Sequence, residues 1–226
     1  MPSPSDLFLS PDLTEEQAQA YLQSLGLRDP AAADRCLQAM AADLGVRLAL
    51  GEIAGALVDG LTRVADPDAA LAGLSAYLAT RASKVTFLNH LREDQKALGV
   101  LLEIFAAPAL LGEMLLRDPE QFPWLMARID RRPSATIDDD ELASAQEAAG
   151  VVDLDVLERL HRRQLLRIGV RTLLGHETVD NAVAQLTRLA DFIRGRAFDG
   201  DRRDLLTNEL EHVRAFVQGR RSETGT

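Results

Sequence analysis

The chain has 226 residues, 46% of them hydrophobic and 27% charged, with a formal net charge of −10. This composition excludes a disordered chain and supplies apolar material for one large or two small domains. The acidic balance argues against a general nucleic-acid binder, which needs a basic surface to neutralise phosphates; the single Cys36 excludes an intramolecular disulfide and fits a reducing compartment, so a cytoplasmic location is expected.

In chain order, MPSPSDLFLSPDL reads as a flexible tail over residues 1–13, without the charged-then-apolar pattern of a leader. Thr14-Glu15-Glu16-Gln17 has the spacing of a capping box and opens a predicted helix over 14–25. Asp29-Pro30, Asp66-Pro67 and Asp118-Pro119 each precede a helix-forming run. Aspartate there accepts from a free first-turn amide, and proline at the first helical position lacks a donor that would go unpaired anyway. Gly26, Gly45, Gly150 and Gly175 follow helical runs, where a left-handed residue is wanted. The predicted helices of the first part span 14–25, 30–43, 46–64, 67–80, 82–92, 94–106, 108–117 and 119–128.

ALGVLLEIFAAPALLGEMLL, residues 97–116, is long enough for a membrane span and carries only Glu103 and Glu113 as charges. Pro108 in its middle breaks the helix at Ala107, so two core helices meeting at a corner are expected and no membrane is invoked. After this helical array over 14–128 comes a polar connector, 129–138, and then a bundle of longer helices over 139–218, predicted at 139–148, 153–174, 178–198 and 201–218. The last residues, 219–226, lack an apolar anchor and should fray. With no alternating run bounded by turn residues, the fold class is all-α: an array of about ten to twelve helices with short loops.

Catalytic constellations are sparse. His90, His161, His176 and His212 show no metal-ligand spacing, and the single Glu209-x-x-His212 lacks the second copy that a di-iron bundle needs. Cys36 shares a register with Ala33, Leu37 and Met40 and reads as a small core residue. The glycines form no phosphate-binding loop. Asp138-Asp139-Asp140 precedes ELASAQEAAG, where acids complement the positive end of a helix. No catalytic, cofactor-binding or metal-binding residue is therefore assigned. What stands out is LHRRQLLRIGVRTLLG, residues 160–175, with Arg162 and with Arg163, Arg167 and Arg171 at four-residue spacing. On a helix these last three share one face. That face is either solvated, with acids such as Glu158, Glu177 or Asp191 nearby, or a carboxylate-binding protein interface, for which the planar guanidinium fork is suited.

The order of the pieces carries a resemblance. YLQSLGLRDPAAADRCLQAM (21–40), ADPDAALAGLSAYL (65–78), FLNHLREDQKALGVLLEIFAAPALLGEMLLRDPEQFPWL (87–125), LERLHRRQLLRIGVRTLLG (157–175) and LTRLADFI (186–193) resemble, in sequence, the helical region that precedes a nucleotidyltransferase domain in the glutamine synthetase adenylyltransferase/deadenylylase family. Ala107-Pro108 departs from that family's serine-containing helix start. More consequentially, the family's glycine-rich turn and its Ser-Asp-x-Asp pair on a strand occur nowhere in the chain. The resemblance implies a non-catalytic helical module, with residues 139–218 packing against a following catalytic domain. It implies ATP and magnesium for the complete enzyme, which adds AMP to or removes it from a tyrosine of glutamine synthetase. Its implied partners are that missing nucleotidyltransferase domain, glutamine synthetase and a small nitrogen-signal protein, and a start at Met1 points to the first half of the parent. The alternative is a stand-alone helical interaction scaffold that uses the arginine face.

Overall fold

The structure, a computed structural model, describes residues 2–130, 154–194 and 200–224. Among these residues there are twelve helices and no strand, so the all-α expectation holds. They divide into two compact units, Met1–Pro119 and Glu120–Thr226. The division thus precedes the connector at 129–138. The helix of residues 121–126 buries Phe122 and Leu125 and packs on the long helix that begins at Leu154, so it belongs with the second unit.

The first unit opens with α1 (Asp6–Leu9), inside the stretch expected to be a tail. Leu7 and Phe8 are buried, and α1 packs on α3 (Pro30–Met40) and α4 (Leu44–Leu61). A single helical turn is too short to register as periodic pattern. Gly51 of α4 makes the approach feasible, since a Cβ there would lie 2.6 Å from Leu9 Cδ1. In α2 (Glu15–Ser24) the capping box forms reciprocally: the Thr14 hydroxyl accepts from the Gln17 amide at 3.3 Å, and Gln17 Oε1 accepts from the Thr14 amide at 3.1 Å. Gly26, with φ +92°, ends the run.

Two of the three Asp-Pro pairs act as the sequence predicts. Asp29 accepts from the Ala32 amide at the start of α3, and Asp66 from the Ala69 amide at the start of α5 (Pro67–Ala79). The neighbouring Asp68 links these helix starts, accepting from the amides of Arg28 at 2.9 Å and Asp29 at 3.3 Å. The third pair behaves differently. Asp118 closes α8 (Leu110–Arg117), Pro119 and Glu120 lie in a turn, and α9 begins only at Gln121 (Gln121–Met126). The cause is Pro123, four residues on, which has no N–H to donate to the Pro119 carbonyl. The Tyr77 hydroxyl donates to that carbonyl instead, at 2.7 Å, and Arg81 adds a longer bond at 3.4 Å. Gly45 also departs from expectation: Asp43 caps Val46, which places Gly45 in the first turn of α4 rather than after α3.

Between these elements lie α6 (Lys84–Glu93) and α7 (Gln95–Ala106), separated by Asp94, which caps the start of α7. From α7 to α8 the axis bends by 119° across Pro108, the predicted corner. Among the described residues no single helix is long and apolar enough to cross a membrane. The apolar side chains of this pair, including Leu98, Leu101, Leu102, Ile104, Leu111 and Leu115, are buried in the unit. Its core also holds Leu50, Leu71, Leu74, Tyr77 and Leu88. Gly73 lets α5 and α7 meet closely, because a Cβ there would stand 2.5 Å from Phe105 Cβ. Cys36 is half-buried, with Ala33, Leu37 and Met40 buried beside it in the helix register.

The second unit contains α9, α10 (Leu154–Leu173), α11 (Val179–Arg194) and α12 (Gly200–Thr224), with α10 packed against the other three. Gly175, with φ +70°, ends α10 in a Schellman arrangement: the amide of His176 bonds to Arg171 O and that of Gly175 to Thr172 O. α12 continues to Thr224, through residues expected to fray. The predicted helix at 139–148, Gly150, Asp138-Asp139-Asp140 and the connector from residue 131 onward lie outside the described residues.

Candidate functional site

The sequence singles out α10, and the structure divides its arginines into an inward and an outward set. Leu157, Leu160, Leu165, Leu166, Ile168 and Val170 are buried, and they point around much of the helix circumference. Gln164, Arg167, Arg171 and Thr172 are buried with them. Arg167, 8% exposed, donates from Nε to Gln164 Oε1 at 3.0 Å and from Nη2 to Gln185 Oε1 at 3.1 Å. Gln185 passes the chain on, donating to Glu177 Oε2 at 3.0 Å. Arg171, 4% exposed, donates to the carbonyls of Ile129 and His176, and its Nε lies 3.8 Å from Glu177 Oε2.

Arg167 and Arg171, two of the four arginines expected at an interface, are thus turned into the second unit. A guanidinium can be buried where its N–H groups meet acceptors and a carboxylate balances its charge. Here Gln164, Gln185, Glu177 and two main-chain carbonyls perform that task. The pair pins α10 to α11, to the turn after α10 and to Ile129, three residues past the end of α9. Glu177 was foreseen as an acid near the arginines; Gln164 and Gln185 carried no sequence signal for this role.

Arg162 and Arg163 lie nearer the surface. The Arg162 side chain is 36% exposed and stands between two carboxylates, Glu158 at 3.5 Å and Glu209 at 3.7 Å. Glu209 also lies 3.6 Å from Nδ1 of the fully buried His161, so it faces α10 while His212 of the same helix is exposed. Glu209 and His212 therefore do not converge. Among the described residues no three His, Cys, Asp or Glu side chains are grouped to hold a metal ion.

Arg163 has a different neighbour. Its guanidinium carbon lies 5.6 Å from the centroid of the Trp124 ring, and that of Arg128 lies 4.9 Å from the same centroid. One turn earlier on α10, Arg159 is exposed. Arg159, four residues before Arg163, continues the same spacing but lies just before the stretch 160–175; Trp124 comes from another helix and has no local signal. In the first unit, a cleft of about 450 Å³ is bordered by Asp6, Glu15, Asp34, Arg35 and Gln38. Its most buried carboxylate, Asp34, accepts from Gln38 Nε2 at 3.5 Å.

No protein-family model and no solved structure matches the chain. Curated proteins do, among them three that share the name bifunctional glutamine synthetase adenylyltransferase/adenylyl-removing enzyme. The protein of Xanthomonas oryzae pv. oryzae is 30% identical over 188 residues, covering 77% of this chain and 20% of the relative. That of Leifsonia xyli subsp. xyli is 26% identical over 207 residues, covering 90% and 19%. The Chromobacterium violaceum protein is 26% identical over 230 residues, covering 95% and 25%. The chain spans about a fifth to a quarter of the length of these relatives. It is a distant homologue of the bifunctional glutamine synthetase adenylyltransferase/adenylyl-removing enzymes, similar to them over most of its own length.

Proposed function

We propose that this chain is a helical module, without bond-making groups of its own, of a glutamine synthetase adenylyltransferase/adenylyl-removing system. The observation that carries this reading is the distant similarity over most of the chain, combined with helices alone among the described residues. The sequence also lacks the glycine-rich turn and Ser-Asp-x-Asp pair that nucleotidyl transfer in the resembled family requires. In the complete system, AMP is added to or removed from a tyrosine of glutamine synthetase, with ATP and magnesium, to control nitrogen assimilation in the cytoplasm. This module supplies surfaces for a nucleotidyltransferase domain, for glutamine synthetase and for a small nitrogen-signal protein. No chemical step is assigned to the described residues.

Two measurements test the proposal. Co-expressed with the nucleotidyltransferase portion of the Xanthomonas oryzae relative, the chain should co-purify as a stoichiometric complex; elution as separate species defeats the reading. Incubated alone with glutamine synthetase, magnesium and labelled ATP, it should transfer no label, and transfer would contradict the non-catalytic assignment.

A further inference from the structure

Several surface arginines of this acidic chain are already matched: Arg28 sits beside Asp66, Arg92 beside Glu52, Arg162 beside Glu158 and Glu209, and Arg214 beside Glu211. Arg159 and Arg163 are not, since among the described residues neither has a carboxylate partner. They stand one turn apart on α10, about 6 Å between Cβ atoms by helix geometry. Arg163 is already held in place, stacked with Arg128 over Trp124, and its Nε is buried without a hydrogen-bond partner. Pro123 on α9 and Ala127, just past its end, are exposed near Trp124 in the sequence.

We propose that the Arg159–Arg163 face of α10, with Trp124 beside it, is a docking site for an acidic polypeptide segment that presents carboxylates one helical turn apart. This inference rests on the reading of the chain as a module that works by binding other polypeptides.

Three features select that occupant. Two guanidinium groups without carboxylate partners among the described residues, at one-turn spacing, complement acids spaced likewise on a partner helix, and each planar fork can donate two parallel hydrogen bonds to a carboxylate. A half-buried Trp flanked by Arg is the pairing that dominates protein interfaces, because both bury large contact areas. Stacking on Trp124 also removes part of the ordering cost of Arg163 before any partner arrives. A nucleic acid fits less well, since the net charge of −10 would repel a phosphate chain extending beyond this patch.

Trp124 is the sole tryptophan of the chain, so its emission reports on this face. The probe is a synthetic alanine-based helix with glutamates four residues apart; its control carries glutamine at those positions. Titrated into the full chain at low salt, the glutamate helix should give a saturable change in Trp124 emission that weakens as salt rises. Arg159→Glu leaves the Arg163–Trp124 stack and the reporter intact, and should weaken binding about tenfold or more. Absence of a saturable change, equal binding of the glutamine helix, or unchanged affinity in Arg159→Glu overturns the proposal. Tighter binding of an oligothymidylate than of the glutamate helix overturns the polypeptide assignment. Co-purification with the nucleotidyltransferase portion separates the two ideas. If it succeeds while the peptide fails, this face is wrong and the module reading stands; the converse result sinks the module reading and keeps the face.

Discussion

Two arginines of α10, nine residues apart, illustrate how burial sets the energetic role of a residue. Arg171 is 4% exposed and bonded to two main-chain carbonyls beside Glu177, whereas Arg162 is 36% exposed between two carboxylates. Removing the buried guanidinium leaves the Glu177 carboxylate without its cation and two carbonyls without their donor in low dielectric, so Arg171→Ala should destabilise the second unit by about 3 kcal/mol or more. Urea unfolding followed by Trp124 emission measures this, because Trp124 lies in that unit. By contrast, Arg92→Ala breaks a pair with Glu52 in which both side chains are about half exposed, and it should cost under about 1 kcal/mol. The four-residue spacing reveals that Arg163, Arg167 and Arg171 share a face. Which part of that face turns inward was hidden, because leucines surround the helix and the acceptors come from residues as distant as Ile129 and Gln185.

Among the elements, helix starts were the most readable features because each depends on a local bond between residues three apart. Thr14, Asp29 and Asp66 all cap as their spacing predicts. Asp66→Ala should therefore cost about 1 kcal/mol in urea denaturation of the first unit. The start predicted at Pro119 failed for an equally local reason, the missing donor of Pro123, which the sequence displayed. Helix contacts were less readable, since they join residues far apart. Gly73 shows the consequence: a methyl group there would meet the Phe105 ring and Cβ at 2.3–2.5 Å, while one at Gly99 would meet nothing within 4 Å. Gly73→Ala should destabilise the first unit by about 1–3 kcal/mol, as α5 and α7 are forced apart. Gly99→Ala should stabilise it by up to about 1 kcal/mol through helix propensity alone. Thermal unfolding of the two variants beside the parent chain compares the effects; a Gly73→Ala chain as stable as the parent would mean that the helices do not meet as described.

For the whole molecule, the question is whether a chain covering a fifth to a quarter of its relatives contains a self-sufficient folding unit. Met1–Pro119 has its own interior, with Leu50, Leu74, Tyr77, Leu88 and Leu101 fully buried. Its length falls in the range where one hydrophobic core suffices without disulfides or metals. Its last carbonyl, that of Pro119, is satisfied internally by Tyr77. A fragment of residues 1–119 should consequently show a helical far-ultraviolet spectrum and a single cooperative thermal transition. Within that fragment, Tyr77→Phe removes the donor to Pro119 while keeping the ring that packs edge-on against Phe87 at 5.4 Å. The loss should be about 1 kcal/mol, typical of one hydrogen bond, with the spectrum retained. A fragment that melts without cooperativity or binds a hydrophobic dye as a loosely packed species would show that this core depends on residues beyond Pro119.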